Sequence, residues 1–148
     1  GISFALYTIP FLILSSFGGK LADKYDPQRI AMWMMVLVIP AVTGYGALNS
    51  LAPVVILNVV EGIAQAMMYP SSAAAVAKAA PIGRASAAQG LAGASGLLMS
   101  MLLAFTTPSL YGWFGSLAAF GAVGLLMSVL TGSAVLMLWR LNRREQLV

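Results

Sequence analysis

The sequence predicts an all-α fold, a polytopic membrane bundle of five transmembrane helices. Three observations carry that expectation. The 148 residues are 60% hydrophobic and 8% charged, with a mean hydropathy of +0.91. Soluble domains run near ~25% charged. The charges gather almost wholly in three short places, 20–29, 78–84 and 140–145. The apolar runs between them are long enough for spans of about 20 residues, which cross a hydrocarbon layer of roughly 30 Å. No segment shows the inside/outside alternation of a membrane barrel.

The first helix is expected over about 2–18, in "ISFALYTIPFLILSSF". No charged n-region precedes it and no small-residue cleavage site follows it, so it reads as a span and not as a signal peptide. The chain begins with Gly1 inside this run, and reads as a piece of a longer protein. The connector "GGKLADKYDPQR" comes next and holds five of the twelve charged residues: Lys20, Asp23, Lys24, Asp26 and Arg29. Asp26-Pro27 fits an N-cap followed by a proline at the first helical position. It opens the second helix, expected over about 29–48. "ALNSLAP" (47–53) supplies turn chemistry without charge. The third helix covers about 53–77, and a connector with Lys78 and Arg84 follows it. The fourth covers about 84–106. "TTPSLYGWFG" (106–115) is the second charge-free turn, and the fifth helix covers about 115–140.

Charge then sets orientation. All eight basic residues fall on one side of this zigzag, including Arg140, Arg143 and Arg144 of the tail. Short connectors rich in Lys and Arg stay cytoplasmic. The N-terminal end is therefore expected outside and the C-terminal tail inside. Tyr45, Tyr111, Trp113 and Trp139 stand near span ends, as an interfacial aromatic belt would place them. Topology accounts for the net charge of +4 and the pI near 9.8, so nucleic acid is not read as a partner.

Several chemistries are excluded. The chain has no cysteine and no histidine. Disulfides, zinc sites of the thiolate–imidazole type and Cys- or His-based catalytic pairs all need them. There is no G-x-S-x-G, no P-loop and no pair of intramembrane aspartates. No enzyme, no metal and no cofactor is expected.

Glu61 is the one charge outside the three clusters, and it falls inside the third helix. A carboxylate there costs about 2.5–3.5 kcal/mol on insertion scales and is by default functional. Asn58, Glu61 and Gln65 are spaced i, i+3, i+7, with Tyr69 on nearly the same face. The stripe is expected to face a cavity or another helix. It serves either as a coupling or substrate-cavity site, or as interhelical hydrogen bonding worth about 0.6 kcal/mol per contact. Pro40, Pro70 and Pro108 lie in or near spans, where membranes tolerate kinks. On the fourth helix Gly90, Gly93 and Gly96, with Ala92 and Ser100, give a small-residue face of the kind that lets backbones pack closely.

"GGKLADKYDPQR" resembles the connector signature of the major facilitator superfamily, G-x-L-a-D-[R/K]-x-G-[R/K]-[R/K]. Gly19, Leu21, Ala22, Asp23 and Lys24 match in register, and Arg29 supplies a basic residue one place after the pattern ends. Asp26 stands where the second glycine belongs, and Pro27 and Gln28 where basic residues belong. That degeneracy looks like the second copy of the signature, after the family's eighth helix. "VVEGIAQAMMYPSSAAAVAKAAPIGRASAAQGLAG" is similar to the family's fourth or tenth helix and the connector after it. Asn58 takes the place of an arginine usual in the N-terminal half, and the fourth helix lacks the G-P-x-x-G-G run of drug antiporters.

The resemblance implies the eighth to twelfth helices of a twelve-helix secondary transporter fold, a six-helix bundle without its first helix. The alternative is the second to sixth helices of the N-terminal half. Either implies secondary active transport of a small solute by alternating access, energised by an ion or solute gradient, with a proton through Glu61 as one candidate. Its partners would be a small-molecule substrate, the lipid bilayer and the missing N-terminal half, in a bacterial inner membrane. Within the family Gly19 would allow close packing, and Asp23 would meet the N-terminus of the fourth helix, where Arg84 stands. A carboxylate there is favoured by about 0.3–1 kcal/mol. Gly19, Asp23, Lys24, Arg29 and Arg84 thus form a candidate latch on the cytoplasmic side. The rival is a structural or assembly membrane protein whose helices only pack.

Overall fold

Helix ends fall where capping side chains and backbone torsions put them. The structure, a computed structural model, describes the backbone of residues 2–145 and the side chains of residues 5–137. Four helical elements follow one another: α1 (Ile2–Lys24), α2 (Pro27–Tyr45), α3 (Leu51–Ala79) and α4 (Ala85–Glu145). All four are long and apolar enough to cross a membrane. Asp26 caps α2 with an extended backbone, and its Oδ1 accepts from the Gln28 N–H at 3.1 Å. Pro27 fills the first helical position, where a missing N–H costs nothing.

Two differences from the sequence expectation have a common cause. Gly18 and Gly19 do not end α1, which runs on to Lys24. "TTPSLYGWFG" is not a loop, because α4 is helical through Phe114. A glycine ends a helix by taking a positive φ. Among the described residues only Gly83 and Gly115 do so, at 77° and 81°. The polar residues that resemble turn chemistry are satisfied inside the helix instead. Thr106 Oγ1 donates to the Leu102 carbonyl at 2.8 Å, and Ser109 Oγ to Phe105 at 3.2 Å. Pro108 likewise sits inside α4, as Pro10, Pro40 and Pro70 sit inside α1, α2 and α3.

Gly115 (φ 81°, ψ 176°) therefore divides α4 into two arms, 85–114 and 116–145. The arms run in opposite senses along the bundle. Gln89 Nε2 donates to the Ala73 carbonyl near the far end of α3. Ser116 Oγ donates to the Gly46 carbonyl at 2.9 Å, at the α2–α3 junction. Leu130, Thr131 and Ala134 then lie beside Ala31, Met32 and Met35, back at the start of α2. The side chains of Trp139, Arg140, Arg143 and Arg144 fall outside the described residues.

Packing is inside-out relative to a soluble domain. The buried positions are small: Ala22, Ala41, Ala64, Ala66, Ser71 and Ala119, with Val38 the largest apolar one. The exposed ones are large, among them Leu12, Ile13, Trp33, Leu102 and Phe105. In lipid, burying leucine gains little, and helices associate through close backbone approach and hydrogen bonds. The α1–α3 seam shows how. A Cβ at Gly62 would strike the Tyr7 carbonyl oxygen, and one at Gly18 would strike the Ala66 carbonyl oxygen. Pro70 has no N–H to give that Ala66 carbonyl, and the freed oxygen lies against Gly18, where α1 has no side chain. The close approach expected at Gly19 thus falls one residue earlier, and at Gly19 a Cβ would meet nothing within 4 Å.

Candidate functional site

Glu61 lies ten residues from the Leu51 end of α3 and eighteen from its Ala79 end, and is partly buried. Its carboxylate takes two hydrogen bonds. Tyr45 Oη, from the last residue of α2, donates to Oε2 at 2.9 Å. Gln65 Nε2, one turn further along α3, donates to Oε1 at 2.9 Å. Tyr7 Oη of α1 then donates to Gln65 Oε1 at 2.9 Å. The result is a continuous chain, Tyr45–Glu61–Gln65–Tyr7, across three helices. No lysine or arginine pairs with it among the described residues.

The fold assembles this chain through backbone contact. The Gly62–Tyr7 approach sets α1 and α3 at the distance where a phenol on one reaches an amide on the other. On the far side, Gly124 lies against Thr43, whose Oγ1 is held on the Ile39 carbonyl at 2.8 Å. Phe120 packs at a tilt against Tyr45, ring centroids 5.9 Å apart. The second arm of α4 so backs the residue that reaches Glu61.

The expected polar stripe is brought together only in part. Glu61 and Gln65 join. Asn58 turns back and donates to the Val54 carbonyl at 2.9 Å. Tyr69 is 54% exposed and meets Phe11 edge-on at 5.8 Å. It lines a groove of about 470 Å³ between α3 and the first arm of α4, together with Ser72, Gln89, Gly93, Gly96 and Ser100. Gly90, Gly93 and Gly96 meet nothing within 4 Å, so their small face is open among the described residues.

Two site residues were not expected. Tyr7 lies inside an apolar run, and the sequence places Tyr45 in the interfacial belt. The available signal was a phenol in a helix that must pass Glu61: a buried hydroxyl needs a partner. Tyr111 and Trp113 are 55% and 81% exposed.

The connector residues lie at the basic end. Asp23, Lys24, Arg29 and Arg84 are all exposed. Arg29 Nε stands 3.5 Å from Asp26 Oδ2, and Lys24 Nζ lies 5.4 Å from the Tyr25 ring centre. No ion pair joins Asp23 to Arg84 among the described residues. Arg84 closes the turn into α4, its N–H donating to the Pro81 carbonyl at 2.9 Å.

In comparison with known proteins, the sequence model described as Major Facilitator Superfamily matches residues 1–147. No curated protein and no solved structure matches the chain.

Proposed function

Because the chain belongs to the major facilitator superfamily, a family of secondary transporters, we propose that it is part of a carrier that moves a small solute by alternating access and loads its coupling proton on Glu61. The observation that carries this reading is the carboxylate itself. It sits within an apolar helix and accepts two hydrogen bonds, with no cation beside it among the described residues. An intramembrane acid so placed changes charge when it takes a proton, and that change alters what a helix bundle costs to keep in each orientation.

Five spans follow from the two arms of α4. Each arm has 30 residues, roughly 45 Å of helix, more than the roughly 30 Å hydrocarbon core. Gly115 is then the reversal on the outer side, and the basic end is cytoplasmic. The degenerate connector after α1 favours the C-terminal half of a twelve-helix carrier, in a bacterial inner membrane. Asp23 and Arg84 are both exposed at that end and are not paired with each other among the described residues, so the cytoplasmic latch belongs to another state of the carrier. Cysteines placed singly at Asn49 and Gln28 should label from opposite sides; labelling from one side would break the topology.

The test of function is Glu61→Gln in the intact carrier, reconstituted in vesicles with an imposed pH gradient. Gradient-driven uptake should be lost, while solute exchange at equal pH persists. Unchanged rate and unchanged pH dependence would sink the reading.

A further inference from the structure

α1 and α2 touch each other little, and each lies instead along α3. Between them they leave a cleft of about 440 Å³ over the α3 surface. Phe17 and Leu21 form its α1 wall, Met34 and Leu37 its α2 wall, and Ile63 and Met67 part of its floor. Every side chain that lines it is apolar. It is open along its length, since Phe17 is 53% exposed, Leu37 48% and Ile63 40%.

The cleft faces away from the polar side of the bundle. At 3.6 residues per turn, Ile63 and Met67 lie across α3 from Gln65 and Tyr69. That other side carries the hydrogen-bonded chain and receives the first arm of α4. Polar groups of a span turn to the bundle or to a cavity, so the apolar side is the one left to lipid.

The cleft runs to the basic end of the bundle, and three lysines stand at its mouth. Lys24 comes seven residues after Phe17 and three after Leu21, on the same face of α1. Lys20, three residues after Phe17, flanks it. Lys78 follows Met67 by eleven residues, three turns along the same face of α3. All three are exposed, and no carboxylate pairs with any of them among the described residues. The nearby acids are turned elsewhere. Asp26 caps α2 and holds Arg29 at 3.5 Å. Asp23, two residues after Leu21, falls on the far face of α1. Lys24 Nζ lies 5.4 Å from the centre of the Tyr25 ring, whose exposed phenol is a further donor.

We propose that the α1–α2 cleft is a binding site for an anionic phospholipid, with one acyl chain lying in the cleft and the phosphate at Lys20, Lys24 and Lys78. Basic pockets between spans at the membrane surface take acidic head groups in this way. The apolar walls accept the chain of any phospholipid, and the lysines select a head group with net negative charge. The lipid ties α1 to α2 and so steadies the connector between them. The inference needs α1, α2 and α3 to span a membrane, and does not depend on Glu61.

The test is native mass spectrometry of the intact carrier, released from micelles that hold equal amounts of phosphatidylglycerol and phosphatidylcholine. The carrier should keep one phosphatidylglycerol in preference to phosphatidylcholine. Lys20→Gln, Lys24→Gln and Lys78→Gln together should lower that preference, by about fivefold for each lysine. Ile63→Trp fills the cleft without touching charge and should lower retention of both lipids. Leu37→Trp does the same from the α2 wall, should the first variant fail to fold. Arg84→Gln, at the basic end but leading into the arm on the other side of α3, should retain phosphatidylglycerol as the wild type does. So should Glu61→Gln, which lets the lipid site and the coupling reading fail separately. Equal retention of the two lipids by the wild type means ordinary boundary lipid and overturns the proposal. Full retention with the cleft filled overturns it too, because the lipid then sits elsewhere. A loss in Arg84→Gln as large as in the lysine variant reports surface charge alone and also overturns it.

Discussion

The α1–α3 seam and the first arm of α4 are built from the same small residues and end up in opposite situations. At Gly18 and Gly62 the space where a Cβ would stand is taken by a backbone carbonyl of the neighbouring helix. At Gly90, Gly93 and Gly96 that space is empty to 4 Å. Glycine spacing thus shows that a face is able to take a close partner, and says nothing of whether it has one. The seam also carries the polar chain, whereas the open arm borders the groove beside Tyr69 and reaches α3 through the Gln89–Ala73 hydrogen bond. Close backbone approach and interhelical hydrogen bonding go together, because a phenol reaches an amide on another helix only when the backbones nearly touch.

The largest test of this contrast is Gly62→Leu. A branched side chain against the Tyr7 backbone must push α1 off α3, and overpacking of this kind costs about 1–3 kcal/mol or more. Thermal unfolding in detergent should show a lower midpoint, together with loss of gradient-driven uptake as the Glu61–Gln65–Tyr7 chain parts. Gly18→Ala should follow in the same direction, since the carbonyl freed by Pro70 is backbone and cannot swing aside. Next in size is Tyr7→Phe, which deletes one interhelical hydrogen bond worth about 0.6 kcal/mol. That loss should vanish in a Gln65→Leu background, and an undiminished loss there would detach Tyr7 from the chain. Smallest is Gly93→Ala. On an open helical face it should cost nothing and gain up to about 1 kcal/mol of helix propensity. A loss as large as that of Gly18→Ala would show that a further helix lies on this arm, and the contrast would disappear.

How far the sequence could be read depended on the range of each signal. Hydropathy, clustered charge and the Asp26-Pro27 start of α2 act within a few residues, so they were legible without neighbours. Glu61 stood out because an isolated charge in an apolar run is conspicuous anywhere. The stretch 106–115 reads as a turn yet stays helical for a local reason: Thr106 and Ser109 bond back to their own helix, and Pro108 is tolerated, so the helix does not break until Gly115 takes a positive φ. The connector "GGKLADKYDPQR" was enough to point to the family, yet not to say which of its two glycines packs.

What lay beyond the sequence was every relation between helices. Tyr7 and Tyr45 sit 58 and 16 residues from the groups they bind, and no spacing rule spans such gaps. Their partners depend on the rotation and depth of α1 and α2 against α3, and for α1 those are set by backbone contacts at Gly18 and Gly62. Composition and pattern made this chain a set of membrane helices with one acid inside a span. Backbone contact at Gly18 and Gly62 helped turn that acid into the centre of a hydrogen-bonded chain, because a hydrogen bond tolerates only a few tenths of an ångström and hydropathy tolerates whole turns.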